Sequence, residues 1–347
     1  MKFDYYELLD VASQILIACG EEKTNAYVAA KSMVKADARG ITTHGTYLLT
    51  PIYKRIQVNQ LSLPTKATVV KDSGATAIVD GGDGLGAIAG QLALEIATEK
   101  AKTYGLSSVL IRNTNNVGSL AFYTEQAAKE GLIAIMSCNA APAIAPWGGA
   151  EAFMGTNPVA ISFYTGKELI FTLDMASSVV ARGKIRKAER NREPIPDNWA
   201  LDENGNPTTD PAAALKGTLL PIGGPKGSAL ALAVDILSGI LPGGSHAPNL
   251  KSFHSPEGST GVGASLILLS IERFLNIGEY VNTMEDYIAS IKKVKKAKGF
   301  EEILIPGELE YRRELDSMKY GIELDNDAID AINNLLKKTG SGIRLGE

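Results

Sequence analysis

Histidine and cysteine are scarce in this chain, three and two residues among 347. Cys19 and Cys138 lie far apart in apolar surroundings. The sequence therefore predicts two buried, reduced thiols in a cytoplasmic protein rather than a disulfide framework. With no Cys or His cluster, no metal site is expected. A basic excess is missing too: 35 Lys and Arg face 39 Asp and Glu, a net charge of −4, which argues against nucleic acid or a membrane surface as a partner. No uncharged apolar run reaches the length of a bilayer span. The start MKFDYYELLD is polar and amphipathic and lacks the apolar stretch of a signal peptide. What remains is a globular composition, 45% hydrophobic, in a chain too long for one small core.

The spacing of apolar residues predicts an α/β protein. DYYELLDVASQILIACG sets Tyr5, Leu8, Leu9, Ala12, Ile15 and Leu16 on one helical face and stops at Gly20. EEKTNAYVAAKSMVKADARG is a second helix stopped by Gly40, and a short third one is expected from Pro51. Strands and helices then alternate through ATAIVD, GLGAIAGQLALEIATEKAKTYG, SSVLIR, SLAFYTEQAAKEG and LIAIMSC. That βαβαβ rhythm implies a sheet with helical crossovers. NPVAISF and ELIFTLDMA are spaced to pair as a hairpin, VVARGKIRKAER is helical, and residues 191–225 read as a long ordered excursion. KGSALALAVDILSGILPGG is mostly apolar and reads as a buried helix, and GASLILLSI as a core strand. TMEDYIASIKKVKKAKG is predicted as a helix with a Thr N-cap, followed by a last strand EEILI and two closing helices.

GGDGLGAIAG follows a strand and opens a helix, and Gly82, Gly84 and Ala87 satisfy the loose dinucleotide pattern. A Rossmann fold then needs a carboxylate at the end of the next strand, where this chain has Arg112 and Asn113. The favoured reading is a turn whose glycines allow close packing. Other segments carry more polar punctuation than turning requires: THG, RNTNNVGSL (112–120), NAAPAIAPWGGAEAFMGTNPVA (139–160) and LDMASSVVARGK (173–184). LPIGGPKGSALA adds Gly223, Gly224 and Lys226 at a helix start. Several helix N-termini around one cleft suit an extended anionic ligand such as a dinucleotide.

Taken in order, ADARGITTHG, VDGGDGLG, RNTNNVG, APWGGAEAFMGTNPVA, LDMASSVVARGKI, IPDNWALDENGNPTTDP, LPIGGPKGSALALAVDILSG and ILIPGELEYRR resemble the type-2 malate/L-lactate dehydrogenase family. That family includes sulfolactate, ureidoglycolate and diketogulonate-type enzymes and cyclic-ketimine reductases. The resemblance implies a non-Rossmann α/β fold, a mixed central sheet flanked by helices, with a cofactor-binding part over 74–290 and a helical substrate part from 1–73 plus 291–347. It also implies a homodimer binding NAD or NADP and a small-molecule substrate. Cofactor contacts would fall at Asp174, Met175 and Ala176, at Lys226 and Gly227, and at Pro306, Gly307 and Glu308. His44 would give a proton to the substrate's reacting oxygen, a role suited to an imidazole near neutral pH. On the substrate side stand Thr43, Leu48, Arg112 and Thr156, with Asn116 beside His44 in the catalytic set.

Two positions depart from the family pattern. Leu48 stands where members commonly carry an arginine that holds the substrate carboxylate. Asn116 replaces a histidine; it can donate a hydrogen bond but cannot exchange a proton at neutral pH. Three readings stay open. One is a reductase of another carbonyl or imine, with His44 the sole acid. The second is the ordinary 2-hydroxy-acid reaction with the carboxylate held elsewhere, by Arg112, Arg55 or backbone N–H groups. The third is a cofactor-binding protein without catalysis. His246 and His254 lie in a Gly/Pro/Ser-rich stretch able to cover the cleft as a flap and are expected at the surface, and Trp147 and Trp199 are expected to pack.

Overall fold

The computed structural model describes residues 1–255 and 257–346; Pro256, within the expected flap, and Glu347 lie outside the described residues. After a short strand β1 (Lys2–Phe3), the Asp4 side chain accepts from the backbone N–H groups of Tyr6 and Glu7 and starts helix α1 (Tyr5–Ala18). Its buried face, Leu8, Leu9, Ala12, Ile15 and Leu16, packs with Ala26, Ala30, Met33 and Val34 of α2 (Lys23–Ala38). Two 3-10 turns, Thr42–His44 and Thr46–Leu48, lead into α3 (Leu49–Gln57).

The sheet follows as β2 (Thr68–Ser73), β3 (Thr76–Asp80), helix α4 (Gly86–Tyr104), β4 (Leu106–Thr114), helix α5 (Ala121–Lys129), β5 (Leu132–Cys138), β6 (Val159–Phe163) and β7 (Phe171–Met175). Helix α6 (Arg182–Asn191), strand β8 (Ala200–Leu201), helix α7 (Pro211–Lys216) and strand β9 (Thr218–Leu219) make the excursion, and α8 (Pro225–Asp235) runs on into a π-helical turn, Ile236–Ile240. Strand β10 (Val262–Ser270) then returns to the sheet, and α9 (Ile277–Lys293), α10 (Glu308–Tyr320), β11 (Ile322–Glu323) and α11 (Asn326–Lys338) close the chain.

The seven strands lie in the order β2-β3-β4-β10-β5-β6-β7. β3 and β4 are parallel, as their helical crossover requires, whereas β10 is antiparallel to both β4 and β5. The sheet is mixed, in agreement with the sequence reading. Its centre, Leu266 and Leu268 of β10 with Val109, Ile111, Ala134 and Met136, is fully buried. The register gathers the loops. Asp80 pairs with Arg112, Thr114 with Val262, Ala264 with Cys138, Ser137 with Val159, and Val159 with Met175. So the segments after β4, β5 and β7 all leave the sheet at one end.

The glycine-rich turn packs and does not cradle. A Cβ on Gly84 would come within 2.5 Å of the Thr65 methyl, and one on Gly86 within 2.7 Å of the Asn115 carbonyl oxygen. Four expectations need correction. The α8 helix is buried on one side only: Leu232, Ile236, Leu237, Ile240 and Leu241 are 36–58% exposed, because an apolar sequence does not specify which surface covers it. Residues 301–305 form no strand; the segment reaches the sheet through one bond, Thr172 N–H to the Pro306 carbonyl at 3.0 Å. α9 is capped by Asn276, which accepts from Gly278 N–H at 2.9 Å, and Thr283 lies inside the helix. Cys19 is only half-buried, while Cys138 is buried and its thiol is pushed up to about 12 by desolvation.

Gly86→Ala should destabilise the protein by about 1–3 kcal/mol, the usual cost of overpacking a tight contact. The midpoint of urea unfolding measures it, and an unchanged midpoint would contradict the close-packing role.

Candidate active site

His44 ends the first 3-10 turn, with its N–H bonded to the Ile41 carbonyl at 2.9 Å. Its Nδ1 lies 3.1 Å from Thr43 Oγ1, which leaves Nε2 for a ligand. Asp174, next to last in β7, faces the start of α5. Its Oδ2 accepts from Ser119 Oγ and from Ala121 N–H, both at 3.0 Å, the favoured place for a carboxylate on a helix dipole. His44 and Asp174 are crowded by protein yet keep contact with solvent, as groups lining a concave cleft do. Desolvation pushes the His44 imidazole below its ordinary range, and the Asp174 charge opposes that shift. Desolvation likewise raises Asp174, opposed by its two hydrogen bonds and by His44. The downward shift leaves the imidazole able to take a proton, and Asp174 in its ionised form stabilises the imidazolium that results.

The substituted positions converge. Leu48 and Asn116 line one narrow hollow together with Met33, Leu61, Leu85 and Phe253. Leu48 is buried in the apolar cluster of the N-terminal helices. Asn116 turns its Oδ1 onto the Gly118 N–H at 2.7 Å, which leaves its amide N–H groups as donors.

Both arginines offered as replacement clamps are committed to the protein. Arg55 is fully buried and donates to the carbonyls of Ser255 and Gly258, each at 2.6 Å, and to Asn115 Oδ1 at 3.2 Å. It pins the loop that carries Phe253 and His254. Arg112 pairs with Asp80 at 2.9 Å. His254 lies beside Tyr47, ring centroids 6.0 Å apart, and the His246 Nδ1 lies 3.4 Å from the Gly244 carbonyl.

The remaining candidate segments adjoin β7. The Thr156 carbonyl accepts from Ser177 N–H at 2.7 Å, just past Met175 and Ala176. Residues 219–222 run beside 177–179 through bonds from Val179 N–H to the Leu220 carbonyl at 2.9 Å and from Ile222 N–H to the Ser177 carbonyl at 2.8 Å. That pairing brings Lys226 and Gly227, at the start of α8, to the same edge. Pro306 and Gly307 abut Thr172. The Glu308 carboxylate is occupied, with Lys292 and Arg312 each at 2.6 Å. Trp147, expected to pack, is instead 60% exposed with its ring over Gly224, whereas Trp199 packs against the apolar cluster of the excursion. Ser119 and Asp37 were missed in the sequence. Ser119 left a signal, a hydroxyl two residues before a helix; Asp37 left a weaker one, an acid in the last turn of α2, where the helix dipole disfavours negative charge.

A histidine with a carboxylate near it thus sits at the loop end of a mixed sheet whose strand order is not that of a Rossmann fold. The family model for malate/L-lactate dehydrogenase matches residues 3–333, and the chain belongs to that family. It is 38% identical to the L-sulfolactate dehydrogenase of Methanocaldococcus jannaschii over 95% of this chain and 94% of that one. It is 30% identical to the ureidoglycolate dehydrogenase (NAD(+)) of Escherichia coli O157:H7, over 94% of this chain and 93% of the relative. The solved structure of the M. jannaschii sulfolactate dehydrogenase superposes with a TM-score of 0.92, at 36% identity, covering 98% of both chains. The Δ1-piperideine-2-carboxylate reductase of Pseudomonas syringae pvar. tomato superposes at 0.86, with 25% identity and 96% and 99% coverage.

Asp174→Asn removes the charge that favours the imidazolium, so His44 should titrate at a lower pH than in the parent. NMR of the ring protons resolves this in a chain with three histidines; an unmoved His44 titration would show that the two groups do not interact.

Proposed function

We propose that this protein is an NAD- or NADP-dependent dehydrogenase/reductase whose proton-transfer group is His44 and whose substrate pocket is altered at Leu48 and Asn116. The observation that carries the reading is the His44–Asp174 arrangement, a neutral imidazole with a free Nε2 and a carboxylate near enough to stabilise its charged form. A bound nicotinamide would take up or deliver the hydride. Lys226, which has no carboxylate partner among the described residues, and the backbone N–H groups opening α8 suit its pyrophosphate. Met175, Ala176, Pro306 and Gly307 border the same edge, where Glu308 supports the turn rather than meeting the ligand.

In the oxidation direction, His44 Nε2 accepts the hydroxyl proton as the C–H hydride leaves. In reduction the imidazolium returns that proton to the oxygen, or to an imine nitrogen. Asn116 donates to the same heteroatom and Thr43 orients the ring. Leu48 offers no charge, so the hollow favours a neutral, apolar substituent over a carboxylate. This favours a carbonyl or imine substrate with an apolar group over a plain dicarboxylate.

Fluorescence titration with NADH and NADPH tests the cofactor; binding of neither overturns the reading. His44→Ala is expected to lower turnover by about 10²–10⁴-fold with cofactor affinity retained. Restoring the family residues with Leu48→Arg and Asn116→His should raise kcat/KM for 2-oxo dicarboxylates and lower it for apolar substrates. No change in that preference would reject the altered pocket.

We also propose a homodimer, built on the continuous apolar face of Leu232, Ile236, Leu237, Ile240 and Leu241, which water would otherwise cover. Ile236→Lys with Ile240→Asp should convert the species seen by light scattering to a monomer. A parent that is already monomeric would dismiss the idea.

A further inference from the structure

The two 3-10 turns that carry His44 and Leu48 meet at Gly45 and Thr46, and that junction rests on one buried carboxylate. Asp37, in the last turn of α2, is 7% exposed. Its Oδ2 accepts both from Thr46 N–H at 2.8 Å and from Thr46 Oγ1 at 2.7 Å. Its other oxygen lies flat against Gly45, so close that a Cβ there would overlap the carboxylate. Gly45 has an ordinary extended φ of −86°; the contact with Asp37, and not the backbone conformation, is what demands glycine. One side chain thus fixes the residue after the proposed proton donor and the turn that seats Leu48.

We propose that Asp37 is the positioning residue of the His44 turn, and that the turn is held for proton transfer only while this carboxylate is ionised. The proposal rests on the reading of His44 given above. Two charge-assisted bonds from a single residue are short and directional. Protonation weakens both and leaves a hydroxyl pressed against Gly45. The surroundings bring that change into the working range. Burial is the largest influence and raises the carboxyl to about 6, with the Thr46 bonds opposing and Asp325, at the start of α11, adding to the rise. The charged influence on it from another residue is that of Asp325, an acid. Lys35 and Arg39, its neighbours on α2, are bonded to Glu125, and Arg39 also to Glu314 of α10; Arg313 of α10 lies over Gly40. From the adjoining turn, His44 faces Asp174.

The sign follows. The turn is pinned above pH 6 and slackens below it, so the rate falls on the acid side through Asp37 in addition to any titration of His44. Two substitutions move this limb in opposite ways. Thr46→Val deletes one bond to the charged form, so the acid limb of kcat should shift to higher pH. Asp37→Asn keeps an acceptor of the same shape without ionisation. It should lower kcat at pH 8 by about 3–10-fold, leave the cofactor Kd unchanged, and remove the Asp37 component of the limb.

The NMR titration of the His44 ring reads the same event without turnover. In the parent its signal should inflect near the Asp37 pKa as well as its own, and in Asp37→Asn the first inflection should vanish. Pure scaffolding would leave the pH profile and the His44 titration of both folded variants like the parent's, and that result overturns the proposal. Loss of the inflection near the Asp37 pKa in Asp37→Asn upholds it even in a protein that turns over none of the substrates tried, which separates its failure from failure of the functional reading.

Discussion

The cleft depends on the buried pairing of Arg39 with Glu125. The guanidinium meets the carboxylate with two bonds, at 2.6 and 2.7 Å, while its Nε reaches Glu314 at 2.7 Å. Arg39 caps α2, five residues before His44, and Glu125 lies one turn into α5, whose first N–H holds Asp174. The pair therefore sets the distance between the imidazole and the carboxylate, and Glu314 joins the C-terminal α10 to the same point. Breaking a buried pair from one side costs about 3–5 kcal/mol because the remaining charge has no water. The cleft and the fold of the two chain ends are accordingly one problem.

Around that fixed pair the sheet does a simpler task. Alternating strand directions with β10 inserted between β4 and β5 still bring the ends of β4, β5 and β7 to one side. The hollow of Leu48 and Asn116 lies beside the exit of β4, and His44 ends the turn just before the one that seats Leu48. Loops there spend their polar groups on each other, as Arg55 does on the loop of Phe253.

Much of this was legible in the sequence. The helical face of Leu8, Leu9, Ala12, Ile15 and Leu16 was readable because a helix repeats its burial every turn. The βαβαβ rhythm and the hairpin of β6 and β7 were readable because strand length and turn residues are local. The failed Rossmann test was also sound: Arg112 holds Asp80 beside a glycine turn that packs. Where expectation and structure diverge, the missing information was not local. The face of α8 is apolar in sequence, yet nothing in sequence names its cover. EEILI has strand-like residues but no free ladder to join. Arg55 reads as a free cation on an amphipathic helix and is in truth the most deeply buried charge near the cleft.

The sequence by itself determined the family, the helices and strands, and the identity of His44, Leu48 and Asn116, because these are carried by residue type and spacing along the chain. Only the tertiary structure decided what those residues face. It placed Asp174 near His44, put Leu48 and Asn116 in one hollow, tied Arg55 to the loop of Phe253 and Arg112 to Asp80, and set Asp37 beneath Gly45. Desolvation and charge interaction act through space over a few ångströms, between residues that in this chain stand 130 positions apart, as Asp174 and His44 do, or 275, as Arg39 and Glu314 do, and no local pattern records them.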